Sequence, residues 1–219
     1  MNIVRLNTVA LGNAIIKKGG GSGGGTPSYE NGVYIQHIDG NLYTSDQWST
    51  KGYANDKANG VAVISDEAQF TISKTDLNPS NGQWSSNTTS TAGAYTTTEQ
   101  SLAETDYDGK ANTAKITGGV ALLCTNYEFP NGEKGHLPSL GEWVIAYRNK
   151  GAIVEALNLI GGDSISESNY QWSSTQYNYR NSWLFYWKSG SVGNDEKQYQ
   201  YLARAFGVLL LPFSGSDSE

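Results

Sequence analysis

Residues 137–162 read LPSLGEWVIAYRNKGAIVEALNLIGG, and their punctuation decides the class of the fold. Ser139 stands where a helix N-cap is wanted, and Glu142 three residues on completes a capping box. Trp143, Ala146 and Tyr147 then recur at helical spacing and share a face. Gly151 breaks the pattern, and a second apolar helix runs on to Gly161 and Gly162, where glycine suits a left-handed cap.

Working outward from these two helices, both flanks turn to strands. Upstream, residues 31–48 (NGVYIQHIDGNLYTSDQW) alternate apolar and polar around a tight turn at Asp39-Gly40-Asn41, a hairpin signal. Residues 60–73 (GVAVISDEAQFTIS) repeat the plan, with a polar turn at Asp66-Glu67. Residues 74–100 are rich in Ser, Thr and Asn with few apolar anchors, which predicts mostly loop. Residues 101–116 (SLAETDYDGKANTAKI) hold a helix and a turn, and residues 164–206 return to strands. Strands, then helices, then strands define an α+β class rather than a βαβ repeat. The expected form is mixed antiparallel strands with two or three helices.

Composition narrows the function. The 219 residues suit one domain, or one domain with a small appendage. A net charge of −6 offers no basic face for nucleic acid. No run approaches the roughly 20 apolar residues that span a bilayer. The opening MNIVRLNTVALGNAIIKK is interrupted by Asn7, Thr8 and Asn13 and is followed by no small-residue cleavage site, so it reads poorly as a signal peptide. The one cysteine, Cys124, forms no intrachain disulfide. The run GGGSGGG at 19–25 is a flexible coil. The reading is therefore an anchor segment at 1–18, a linker at 19–28 and a ligand-binding domain at 29–213.

The stretch 164–206 holds 6 of the 14 tyrosines and 3 of the 6 tryptophans, with 8 serines and 4 asparagines. Tyr and Trp give large rigid contacts at low entropy cost, while Ser, Gly and Asn give adaptable hydrogen bonding, as in antibody paratopes. Strand alternation puts Trp183, Phe185 and Trp187 on one face and Leu184, Tyr186 and Lys188 on the other. Tyr199 and Tyr201 share a face by the same rule. One face must be core, and the other is expected to be displayed for recognition.

The motifs HLPSLGEW (136–143), YQWSSTQ (170–176), RNSW (180–183) and ARAF (203–206) resemble, in that order, the C-terminal half of C-type-lectin-like, formylglycine-generating-enzyme-like domains. Within that superfamily the chain is most similar to the variable proteins of diversity-generating retroelements of gut Bacteroidales and their phages, from about Val33 to Phe206. The resemblance implies a diversified region at 169–202. There, adenine replacement in Asn-type codons yields Asn, Tyr, Ser, Asp, Gly, Leu, Phe, Arg and others, but not Trp, Gln, Lys or Glu. Trp172, Trp183, Trp187, Lys188, Lys197, Gln198 and Gln200 then fall to the scaffold. Tyr177, Asn178, Tyr179, Arg180, Asn181, Leu184, Tyr186, Ser189, Ser191, Gly193, Asn194, Asp195, Tyr199 and Tyr201 remain as the expected ligand-binding positions.

Catalytic and metal readings fare worse. The related formylglycine-generating enzymes use a cysteine pair, and this chain has only Cys124, in an apolar context that suits a buried small hydrophobe. A nucleophile built from Cys124 and His136 lacks a third orienting group in the sequence, and His37 reads as a surface histidine. Calcium-dependent lectins of this fold carry Glu-Pro-Asn or Gln-Pro-Asp loops and a Trp-Asn-Asp strand. Phe129-Pro130-Asn131 and Gly193-Asn194-Asp195 lack the carboxylate and the tryptophan. The loop at Asp106-Tyr107-Asp108-Gly109 is expected to be a glycine turn with solvated acids. The expectation is a non-enzymatic binding protein without metal or cofactor, carried on a phage tail or a bacterial surface. Residues 1–18 would mount it in the virion, and its target would be a protein or glycan on a host or neighbouring cell. The alternatives are a fixed-specificity glycan-binding adhesin and a structural virion or fimbrial subunit.

Overall fold

The computed structural model describes residues 29–77, 82–88 and 93–211. The expected anchor (1–18) and linker (19–28), and the last two residues of the expected domain, lie outside the described residues. The chain order is β1 (Gly32–His37), β2 (Leu42–Tyr43), α1 (Ser45–Lys51), β3 (Ala58–Ile64), β4 (Gln69–Leu77), α2 (Gln100–Ala103), α3 (Gly109–Thr113), α4 (Gly119–Asn126), α5 (Leu140–Arg148), α6 (Lys150–Leu159), β5 (Gln171–Gln176), β6 (Asn181–Tyr186), β7 (Ser191–Glu196) and β8 (Ala203–Val208). The class is α+β with antiparallel sheets: a five-stranded sheet ordered β2-β1-β3-β4-β8 and a three-stranded sheet ordered β5-β6-β7.

The capping box forms as the sequence predicts. The Ser139 hydroxyl accepts from the Glu142 N–H, and the Glu142 carboxylate accepts from the Ser139 N–H at 2.8 Å. The break between the two long helices falls at Asn149 rather than at Gly151, which sits in the first turn of α6. Asn149 leaves helical geometry at φ −108°, ψ 16° and donates its side-chain amide to the Ile145 carbonyl, which ends α5 two residues early. Both expected hairpins form, with Ile35 opposite Tyr43 and Ile64 opposite Gln69.

The helix count differs from the two or three expected: six are present among the described residues. α1 is capped by the same grammar as α5, a box between Thr44 and Gln47, and ends at Gly52 in the left-handed conformation. Its Trp48 closes what reads as strand alternation in sequence, and that masks the cap. α4 is apolar at nearly every position, so no helical period stands out. It starts at Gly119 behind the cap residue Gly118, both at positive φ, and a β-carbon on Gly119 would meet the Gln83 carbonyl oxygen at 2.5 Å.

Two cores result. The main one joins Ile35, Val61, Phe70 and Ile72 of the large sheet to Trp143, Ile153 and Leu157 of α5 and α6 and to Trp183, Phe185 and Trp187. Trp143 lies parallel to Phe185 with centroids 5.8 Å apart and meets Phe206 at 4.9 Å. The second core gathers Trp84, Val120, Cys124, Leu137, Trp172, Leu184 and Ala205. The small sheet therefore has apolar packing on both of its faces; Gln171 of β5 bridges Leu202, just before β8, and His136, in the loop before α5, bridges Phe206 of β8.

Candidate functional site

The small sheet carries most of the residues singled out in the sequence. β6 is its central strand and β7 its edge, with Leu184 opposite Gly193, Tyr186 opposite Ser191 and Ser182 opposite Asp195. Directly opposed residues share a face. One face thus bears Leu184, Tyr186, Ser191, Gly193 and Asp195, together with Trp172 of β5, which opposes Leu184. The other bears Trp183, Phe185, Val192 and Asn194.

The expectation that Leu184 is displayed is corrected by its burial, 3 % exposed in the second core. The argument that one sheet cannot bury both faces holds for a single layer, but α4 and the segment around Trp84 cover the centre of the second face. Only the end of that face beyond Leu184 stays open. There Tyr170, Tyr186 and Tyr201 form a half-buried cluster: Tyr170 lies 4.9 Å from Tyr186 and 5.9 Å from Tyr201, centroid to centroid, and Tyr201 packs edge-on to Trp172 at 5.2 Å. A β-carbon built on Gly193 would meet only the Tyr170 ring edge, at 3.9 Å, so the floor of the cluster is open. Tyr170 is the member that sequence reasoning missed. Its alternation with Trp172 was the available signal.

The cluster is held from below. The Tyr186 hydroxyl donates to the Glu167 carbonyl at 2.9 Å, and the Tyr201 hydroxyl donates to Asp195 at 2.6 Å. Burial, then the bond to Asp195, pushes the Tyr201 phenol up to about 12, so it stays a donor at any physiological pH. Tyr199 and Tyr201 do not share a strand face as expected. Residues 197–200 turn, because the Tyr199 N–H bonds back to the Glu196 carbonyl and the Tyr201 N–H reaches across to Gly82. Tyr199 is left 50 % exposed.

The turn between β5 and β6 presents the second group. The Asn178 side-chain oxygen accepts from the N–H groups of Arg180 and Asn181, both at 2.8 Å, so Asn178 shapes the turn. Tyr177 is half-buried with its ring edge-on to Trp183 at 5.0 Å. That leaves Tyr179, 60 % exposed, and Arg180, whose guanidinium sits over the Tyr179 ring at 5.6 Å. On the other face Asn181 donates to Asn194 at 3.0 Å, and in the turn before β7 the Ser189 and Ser191 hydroxyls lie 2.7 Å apart. Beneath the turn, the buried Lys197 ammonium donates to the Gln176 side-chain oxygen and to the Tyr179 carbonyl.

The titratable groups elsewhere have structural employment. Cys124 is fully buried and burial pushes its thiol far up, which denies it a thiolate. His136 does have an orienting partner, since its Nε2 meets Glu142 at 3.1 Å, but the same carboxylate is the cap of α5. Asp106 is buried, not solvated as expected: its Oδ2 accepts from Asn112 and Thr175, both at 2.7 Å, and burial pushes its carboxyl up. His37 is half-buried against Tyr53 at 4.8 Å rather than a plain surface residue. Among the described residues no group of three or more His, Cys, Asp or Glu side chains is placed to hold a metal ion. Among them, too, no helix is long and apolar enough to cross a membrane.

Comparison with protein-family models, with curated proteins and with solved structures finds no match to this chain.

Proposed function

We propose that the chain is a target-binding protein with a C-type-lectin-like fold, and that the small sheet displays a diversified recognition surface. The observation that carries the reading is the arrangement of the eligible positions. Tyr186, Ser191, Gly193, Asp195 and Tyr201 lie around one half-open aromatic cluster, while Tyr179, Arg180 and Tyr199 project from the adjoining turns. Leu184 leaves the set. Tyr177, Asn178 and Ser189 lie in or beside the turns that flank it, while Asn181 and Asn194 pair on the opposite face of the sheet.

Such a surface binds by exclusion of water over a few aromatic anchors, with hydroxyl and amide groups supplying hydrogen bonds. Rotamers already fixed by the Glu167 and Asp195 bonds reduce the entropy lost on binding. The motif order shared with retroelement variable proteins supports diversification, and a place on a phage tail or bacterial surface follows from that resemblance. The test is the DNA beside the gene. A second copy of the segment encoding 169–202, differing at adenines in the codons of these positions, is expected. A locus with no such copy refutes the diversified reading and leaves a binder of fixed specificity.

A further inference from the structure

The turn at 177–181 and the turn after β7 enclose a pocket of about 200 Å³, lined by Thr88, Arg180, Glu196, Lys197 and Gln198. Lys197 is 0 % exposed, and everything holding its ammonium is neutral. It donates to the Gln176 side-chain oxygen at 2.9 Å and to the Tyr179 carbonyl at 3.1 Å, and lies 4.7 Å from the centre of the Trp84 ring. Among the described residues neither Lys197 nor Arg180 has a carboxylate within 4.0 Å. Among the described residues of the pocket lining Glu196 is the one anion, and its carboxylate is engaged by the Gln198 amide at 2.5 Å. A chain of net charge −6 thus keeps two cations against one anion among the described residues that line this pocket.

A buried charge held only by neutral dipoles carries a desolvation cost that a nearby counter-ion relieves. Burial lowers the Lys197 ammonium from 10.5 to about 8. Arginine, for its part, presents a planar fork that fits an oxyanion through two parallel hydrogen bonds. We propose that this pocket is an anion-receptive subsite of the recognition surface. It takes a sulfate or carboxylate group of the target, with Arg180 as the contacting cation and Lys197 as a fixed charge beneath. The use of the subsite in target capture rests on the function proposed above, whereas the anion affinity does not.

The test titrates the full chain with sodium sulfate, with sodium acetate and with sodium chloride at matched ionic strength, following amide shifts by NMR. Saturable shifts confined to Thr88, Arg180, Lys197 and Gln198 are expected, with sulfate or acetate bound at least tenfold more tightly than chloride. Preference for acetate identifies a carboxylate on the target and preference for sulfate a sulfate ester. Arg180→Gln, on an exposed side chain that the fold does not need, should lower the affinity at least threefold. In the wild type the affinity should fall as pH rises past 8, and in Lys197→Met it should not. The charged groups that face the ammonium from the pocket lining are Arg180 and Glu196, and its other neighbours are the Gln176 amide, the Tyr179 carbonyl and the Trp84 ring. Shifts that track ionic strength alike for all three salts, or an affinity unmoved by Arg180→Gln and by pH, overturn the proposal. A null titration would still leave target recognition standing. A gene family without confined variation would remove recognition and leave the anion result intact.

Discussion

Replacing Leu184 by alanine separates the structure from strand alternation, because the two assign this side chain to opposite environments. Leu184 lies in the centre of the small sheet, 3 % exposed, opposite Trp172 on β5 and Gly193 on β7. Gly193 has no side chain to swing into the space, and Trp172 is pinned by its indole N–H to the Gly82 carbonyl, so the site collapses poorly. Truncating a leucine in such a place costs about 2–5 kcal/mol, the transfer term plus a cavity term. With a urea dependence of about 1–3 kcal/mol per molar, the midpoint should fall by about 1–2 M. Equilibrium urea unfolding followed by circular dichroism reads this directly, with Tyr179→Ala as the surface control within about 0.5 kcal/mol of wild type. A Leu184→Ala midpoint that matches the control would return Leu184 to the displayed face.

Lys197→Met tests the buried ammonium through stability. A lysine whose folded value is lowered to about 8 is destabilising in full below that pH, and the penalty is relieved as pH rises from 8 towards 10.5. Wild type should therefore gain on the order of 1 kcal/mol relative to the variant between pH 7 and pH 9.5, read from paired urea midpoints; a constant difference would argue that the amine is solvated. Gly82→Ala would place a β-carbon 2.2 Å from the Tyr201 carbonyl oxygen, so it should displace the 197–201 turn and lower the melting temperature, whereas Gly52→Ala, with nothing within 4 Å, bears only the cost of its left-handed backbone. Cys124, fully buried, should resist a thiol reagent in the native chain and react at once in denaturant; rapid native labelling would contradict its place in the second core.

Much of the fold is legible in the sequence because its signals are local. The Ser139–Glu142 box, the Asp39–Asn41 turn and the strand–turn–strand pattern of residues 60–73 are each specified by neighbouring residues, and each forms. What escapes are features fixed from afar. α4 is a helix because of what covers it, not because of its period. Asp106 is buried because Thr175, 69 residues on, donates to it. The surface is legible in the same measure. Alternation assigns Trp183 and Trp187 to the core correctly, since a tryptophan-bearing face of β6 must be covered. It fails at Leu184 because the covering partner, Trp84, comes from a stretch that reads as plain loop, and at Tyr199 and Tyr201 because a strand is assumed across what is a turn.

The measurement that bears most directly on the proposed function is the sequence of sibling copies of this gene from one population. The account predicts substitutions confined to the displayed positions, Tyr179, Arg180, Tyr186, Ser191, Gly193, Asp195, Tyr199 and Tyr201 foremost, with Trp172, Trp183, Leu184, Trp187 and Lys197 constant. Substitutions spread evenly along the chain, or striking Trp172 and Lys197 as often as Tyr179 and Tyr199, would contradict it.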